Sequence, residues 1–188
     1  MSSGFLVGRL LIAMPGIEDP RFERAVVLMC AHGPDHAMGL TVNRPVEGLT
    51  VAELFQRLGV PTSAALGEEM VLFGGPVDRE RGFVVHTDDY MCLGSSLPIT
   101  DGLAWTATRE VLEAMGDRGR RPRRSVLALG YAGWGAGQVE RELQDNVWLI
   151  CEPDEELLFG ADHDLKWTQA LAKIGVSADR LSGQAGRA

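Results

Sequence analysis

Lysine is nearly missing from this chain: of its 18 basic residues 16 are Arg and 2 are Lys. Positive charge as a whole is outnumbered, since 26 Asp and Glu leave a formal net charge of −8 and a pI near 5.0. That balance argues against a general nucleic-acid binder, whose affinity rests on a surplus of cations facing phosphate. The arginine bias also means that no single Arg carries weight. Cysteine is sparse, with Cys30, Cys92 and Cys151 and no C-x-x-C pair. An odd, scattered set argues against a disulfide scaffold and fits a reducing compartment. Long apolar runs are missing too. Ala25–Ala31 is the longest clean one, far short of the ~20 residues of a spanning helix. The N-terminus has no basic region ahead of an apolar stretch, as a secretory leader would. A cytoplasmic protein without membrane association is expected. No G-x-S-x-G, H-E-x-x-H, kinase signature or Walker lysine occurs, so the familiar nucleophile, zinc and phosphate machines have no anchor here.

What remains is an ordinary globular composition, 45% hydrophobic and 23% charged over 188 residues. Glycine is the excess: 23 residues, about 12% against a usual ~7%, without a Gly-X-Y period, which implies many tight turns. The length suits one domain, expected over residues 1–180 with a disordered tail at 181–188. Leu6–Ala13 reads as a strand ended by Met14-Pro15-Gly16. Ala25–Ala31 and Met38–Val42 read as inner antiparallel strands around the short loop His32-Gly33-Pro34-Asp35-His36. Thr50-Val51-Ala52-Glu53 is a capping box opening a helix with Val51, Leu54, Phe55 and Leu58 on one face, stopped by Gly59. Val71–Phe73 and Gly82–Thr87 read as a second strand pair joined through Gly74-Gly75-Pro76. Further strands are expected at Leu103–Thr106, Ser125–Tyr131 and Val147–Cys151, and helices near Arg109–Met115, Gln138–Asp145 and Trp167–Ile174. Val27, Leu28, Leu54, Phe55 and Leu129 are the expected core. Hairpin-linked strands broken by short helices point to an α+β domain.

Chemistry is less legible. Gly130–Gly137 lies between a strand and a helix, where backbone N–H groups can hold an anion, but Gln138 stands where the dinucleotide fingerprint needs glycine. The main reading is a structural turn that lets Trp134 pack. Cys30-x-His32 sits at strand spacing, so the two side chains can share a face as a thiolate and its base; they are the weak catalytic candidates. Adding His36 yields three metal ligands without a fourth, so no metal is expected, nor any other cofactor. The basic run Arg118–Arg124 and the acidic run Glu152–Asp164 read first as solvated faces. No specific recognition of nucleic acid is expected from the former.

The phrases Leu10–Pro20, Phe22, Ala37–Pro45, Phe73–Val77, Arg81–His86 and Gly130–Gly135, in this order, resemble the YqgE/AlgH family. The resemblance implies a single domain with a mixed, mainly antiparallel, bent or partly barrel-like sheet surrounded by helices. It also implies a protein of uncharacterised role, in a bacterial family one branch of which carries the name of a transcriptional regulator of alginate production. A regulatory or interaction protein is therefore expected, binding an unknown protein partner or a small ligand. The alternative is an enzyme with thiol-dependent or hydrolytic chemistry. The expected site is a surface cleft where three glycine and proline loops converge: Pro15, Asp19 and Phe22; Gly74, Gly75 and Pro76; Tyr131, Trp134 and Gly135. Loops on a rigid sheet are where binding residues concentrate.

Overall fold

In chain order the strands are β1 (Leu10–Ala13), β2 (Val26–His32), β3 (His36–Thr41), β4 (Pro45–Thr50), β5 (Met70–Phe73), β6 (Val77–Thr87), β7 (Ser96–Thr100), β8 (Leu103–Thr106), β9 (Ser125–Gly135) and β10 (Trp148–Cys151). The helices are α1 (Val51–Leu58), α2 (Arg109–Met115), α3 (Gln138–Gln144), α4 (Glu155–Phe159), α5 (Lys166–Lys173) and α6 (Ala178–Ala185). This computed structural model describes residues 5–185, the last four by their backbone alone. The sheet runs β10-β1-β2-β3-β9-β6-β8-β7, with β5 pairing β4 and β9 off that path. Every pairing is antiparallel except β5 with β9. It is a mixed α+β fold around a curled, half-barrel sheet.

Both faces of the inner strands are covered, as continuous apolar runs require. Leu10, Ile12, Val26 and Leu28 join α4 and α5 in one core. Leu11, Ala13, Val27 and Met29 join α3 in another. Helices α1 and α2 pack Val51, Phe55, Val111 and Met115 on Val71, Val84 and Leu127. Of the expected core, Val27, Leu28 and Phe55 are buried, while Leu54 and Leu129 are half-buried against the third cluster. The Thr50 hydroxyl accepts from the Glu53 N–H at 3.1 Å, and Gly59 ends α1 in the left-handed region at φ 69°.

Several sequence expectations need correction. The first strand starts at Leu10 rather than Leu6, because a turn with Gly8 at φ 84° precedes it. The tail expected at 181–188 overlaps α6, whose Leu181 is buried in the first core; residues 186–188 lie outside the described residues. Tyr131–Gly135 is not a loop but the second half of β9. Glycine there marks close backbone approach rather than a turn.

The largest correction concerns β5 and β6, which do not pair with each other. Both pair with β9 at Ala128 and Leu129, β5 in parallel and β6 antiparallel, and so flank it on opposite sides. Gly74-Gly75-Pro76 must therefore cross over the β9 backbone. A Cβ on Gly75 would lie 2.1 Å from the Tyr131 carbonyl carbon, and one on Gly74 2.3 Å from the Gly130 oxygen. Gly130 bends away at φ 77°. We expect Gly75→Ala to cost about 3 kcal/mol or more, since backbone cannot yield as a side chain does. Gly133→Ala, whose Cβ would meet the Tyr131 ring at 3.5 Å and the Val77 side chain at 3.9 Å, both ordinary contacts, should cost under about 1 kcal/mol. Urea unfolding of both variants checks this; equal losses would contradict the crossing.

Lys166 is 1% exposed. Its ammonium donates to Val42 O at 2.9 Å and Leu158 O at 3.1 Å, tying α5 to the end of β3 and to α4. Burial lowers its pKa from 10.5 to about 8. The folded chain then binds fewer protons than the unfolded chain between those values, so this group makes stability rise with pH across that window. Buried Cys30, pushed up to about 12, acts oppositely above pH 9. The test is therefore the difference between wild type and Lys166→Met. We expect wild type to gain up to about 3 kcal/mol on the variant from pH 8 to 10.5; an unchanging difference would refute it.

Candidate ligand cleft

The cleft begins with a turn. After β1, Pro15 and Gly16 (φ 90°) reverse the chain, and Asp19 opens a 3₁₀ turn at Pro20–Phe22 by accepting the Arg21 N–H at 3.0 Å. The Arg21 guanidinium also grips Asp19, 2.7 Å away, and holds its carboxyl below the usual range. Asn43 and Arg44, just past β3, fasten the turn from outside. Asn43 Oδ1 accepts from Val26 N at 2.9 Å, and its amide donates to Arg24 O at 2.8 Å. Arg44 donates to the carbonyls of Arg21 and Glu23.

Opposite stands α3, beginning after Gly137, which lies at φ 69°. Gln138 and Glu142, four apart, share one helix face. The Glu142 Oε1 accepts two indole N–H groups, from Trp134 at 3.1 Å and Trp148 at 2.9 Å. Its Oε2 accepts the Gln138 amide at 2.9 Å. An indole N–H can only donate, so one carboxylate fixes both rings. Trp148 meets Trp134 edge-on at 6.0 Å and Phe22 at 5.8 Å between centroids. Between turn and helix lies an open cleft of about 830 Å³.

Of the residues expected there, Pro15, Asp19, Phe22, Pro76 and Trp134 line the cleft. Gly74, Gly75 and Tyr131 stand behind it in the strand crossing. Gly135 lies at the end of β9, its N–H capped by Gln138 Oε1 at 2.9 Å. Glu142, Gln138, Trp148, Gly133 and Asp145 also line it and escaped the sequence reading. The Gln138/Glu142 spacing was one available signal; two tryptophans needing an acceptor were another.

Cys30 and His32 are separated. A bulge falls between Met29, opposite Gly39, and Ala31, opposite Met38. The extra residue breaks the alternation that would put i and i+2 on one face. Cys30 stays with Leu28 in the first core, where burial pushes its thiol up to about 12. His32 meets Phe5 edge-on on the other side and pairs with the Glu140 carboxylate. His36 is exposed on β3, so the three do not form a ligand set, and no cluster of three or more metal-ligating side chains occurs among the described residues. The basic and acidic runs meet each other: Arg123 binds Glu155, and Arg124 reaches Glu156 at 3.4 Å.

The AlgH-like family model matches residues 10–179. The chain belongs to the AlgH-like family. It is 65% identical over 98% of its length to a Caulobacter vibrioides protein named UPF0301, covering 94% of that relative. A Cereibacter sphaeroides UPF0301 protein is 48% identical, with 97% of this chain and 99% of the relative covered. The solution structure of the AlgH protein from Pseudomonas aeruginosa matches with a TM-score of 0.75 at 38% identity, over 97% of this chain and 96% of that one. A crystal structure from Corynebacterium diphtheriae shares the fold, with a TM-score of 0.69 at 17% identity over 87% and 84% of the two chains.

In this AlgH-like chain no described helix is long and apolar enough to cross a membrane. Its thiols differ in access: Cys30 and Cys151 are buried, Cys92 half-exposed. We expect a disulfide reagent to titrate Cys92 alone in the native protein and all three cysteines after unfolding, and Cys92 slowly, because its contact with Glu110 raises its pKa. Rapid native labelling of Cys30 would show that the core placement is wrong.

Proposed function

We propose that this chain is a cytoplasmic regulatory or interaction protein whose binding site is the cleft between the Pro15–Phe22 turn and α3. The observation that carries this reading is the Glu142 carboxylate, which faces the cleft while three neutral donors hold it in place. Two bulky indoles are thereby locked at the floor of a preformed pocket. A concave site with an apolar lining and a few fixed polar groups is the usual form of a ligand site. Cytoplasmic placement rests on the unpaired cysteines. The regulatory role rests on the resemblance, and control of transcription would then run through a bound partner, since the chain's acidity disfavours direct contact with DNA.

The enzymatic alternative loses its main support. Cys30 is sealed in the core. His86 is fully buried and occupied, with Nδ1 2.9 Å from Thr87 O and Nε2 2.8 Å from Thr106 Oγ1, and burial keeps its pKa below the usual imidazole value. Neither presents a nucleophile and base to a cavity.

A screen of the full chain against mixed small molecules, read by indole N–H and backbone amide shifts, tests the reading. We expect hits to move the Trp134 and Trp148 indole signals and the amides of residues 15–22. Hits clustered on another face, or turnover of a screened compound at a distant site, would overturn it.

A further inference from the structure

The cleft has a second property beyond its pocket, the open edge of a strand. Strand β6 leaves β9 after the pair Val77–Tyr131. From Ala132 to Gly135, β9 pairs with β3 on one side, and among the described residues no strand pairs with it on the other. Two observations show which backbone groups face outward. Thr41 N–H bonds Gly74 O at 2.8 Å, away from β2, so by strand alternation Gly39 and Ala37 turn toward β9 and engage Ala132 and Trp134. The Gly135 N–H turns the other way, to the Gln138 side chain. Gly133, two residues before it, shares that direction and lines the cleft without a side chain to block approach. An exposed strand edge is a template for an added strand.

The charge on the cleft wall says what such a strand carries. Glu18, Glu142 and Asp145 line it, and among the described residues none of them has an ion-pair partner; the one cation lining it, Arg21, is bound to Asp19. Glu142 is held by neutral donors alone, so its negative charge is positioned and uncompensated. An anionic occupant would be repelled, and an uncharged one would leave that charge unanswered. A basic side chain with an apolar stem meets both the carboxylate and the aromatic floor.

Resting on the cleft reading above, we propose that the occupant is an extended peptide segment of a partner protein, which pairs along the Gly133 edge of β9 and places an Arg or Lys side chain against Glu142. A free amine would use the carboxylate but leave the strand edge idle; a peptide uses both.

The test titrates the full-length, isotope-labelled chain with blocked, β-forming hexapeptides that carry Arg, Lys, citrulline or Glu at one central position, and with methylguanidinium as a free cation. We expect the Arg and Lys peptides to shift the Gly133 amide and the Trp134 indole signal. Citrulline or Glu should weaken binding by about tenfold or more, the order of one charge-assisted hydrogen bond. Glu142→Gln, which keeps an oxygen for the indoles, should weaken the Arg peptide by a larger factor than the citrulline peptide. Glu18→Gln and Asp145→Asn on the rim repeat the test without touching the indole contacts. Equal binding of Arg and citrulline peptides overturns the proposal. Methylguanidinium binding as tightly as the peptides also overturns it, while leaving the cleft reading standing. No shift with any peptide overturns it as well; the cleft reading then stands or falls on the small-molecule screen, which contains no peptide. Shifts confined to another face defeat both.

Discussion

The crossing of Gly74-Gly75 over β9 is the contact on which the remaining architecture depends. Two strands that bond the same stretch of β9 from opposite sides must be linked across its backbone. That link exists only where two chains approach more closely than any Cβ permits. Through it the third core, under α1 and α2, is joined to the sheet that carries the other two. The crossing also sets the end of β6 pairing at Val77. Had β6 continued beside β9, the edge at Gly133 that opens into the cleft would be covered. One backbone approach thus connects stability to the existence of the site.

The cleft walls are held by different means. Its turn packs half-buried Ile17 and Phe22 against the second core, and Asn43 and Arg44 fix its backbone through hydrogen bonds from a neighbouring strand end. The opposite wall is fixed by one carboxylate shared between two indoles. Such a network leaves little freedom to the rings, because shifting one removes the partner of the other. A preformed site of this kind spends less of its binding free energy on ordering itself. Elsewhere charge does structural work of a weaker sort. Arg123 and Arg124 meet Glu155 and Glu156 at exposed positions, where an ion pair contributes under about 1 kcal/mol. These pairs align the long segment before β9 with α4 rather than hold the fold.

Much of the fold was legible because it rests on local rules. The Thr50 cap, the Gly59 stop, the inner strand pair and helix α2 follow from capping chemistry and apolar periodicity, which act over a few residues. Family membership was equally legible from its phrases. The Cys30–His32 pairing failed for a nonlocal reason. Strand spacing implied a shared face, but the register against β3 inserts a bulge there, and bulges depend on the partner strand. The glycine-rich run Tyr131–Gly135 likewise had loop composition and strand geometry, since small residues serve close approach as readily as turning.

The sequence by itself determined the secondary structure of the inner strands and main helices and the α+β class. Those properties depend on neighbours in the chain or on phrases held in common with a family. Only the tertiary structure decided that Glu142 holds both tryptophans, that β5 and β6 straddle β9, and that Cys30 enters the first core while His32 turns to Phe5 and Glu140. Each of these joins groups far apart in the chain, and their meeting depends on sheet order and register. Hydrogen-bond partners and strand neighbours are chosen in space, and no periodicity along the chain encodes that choice.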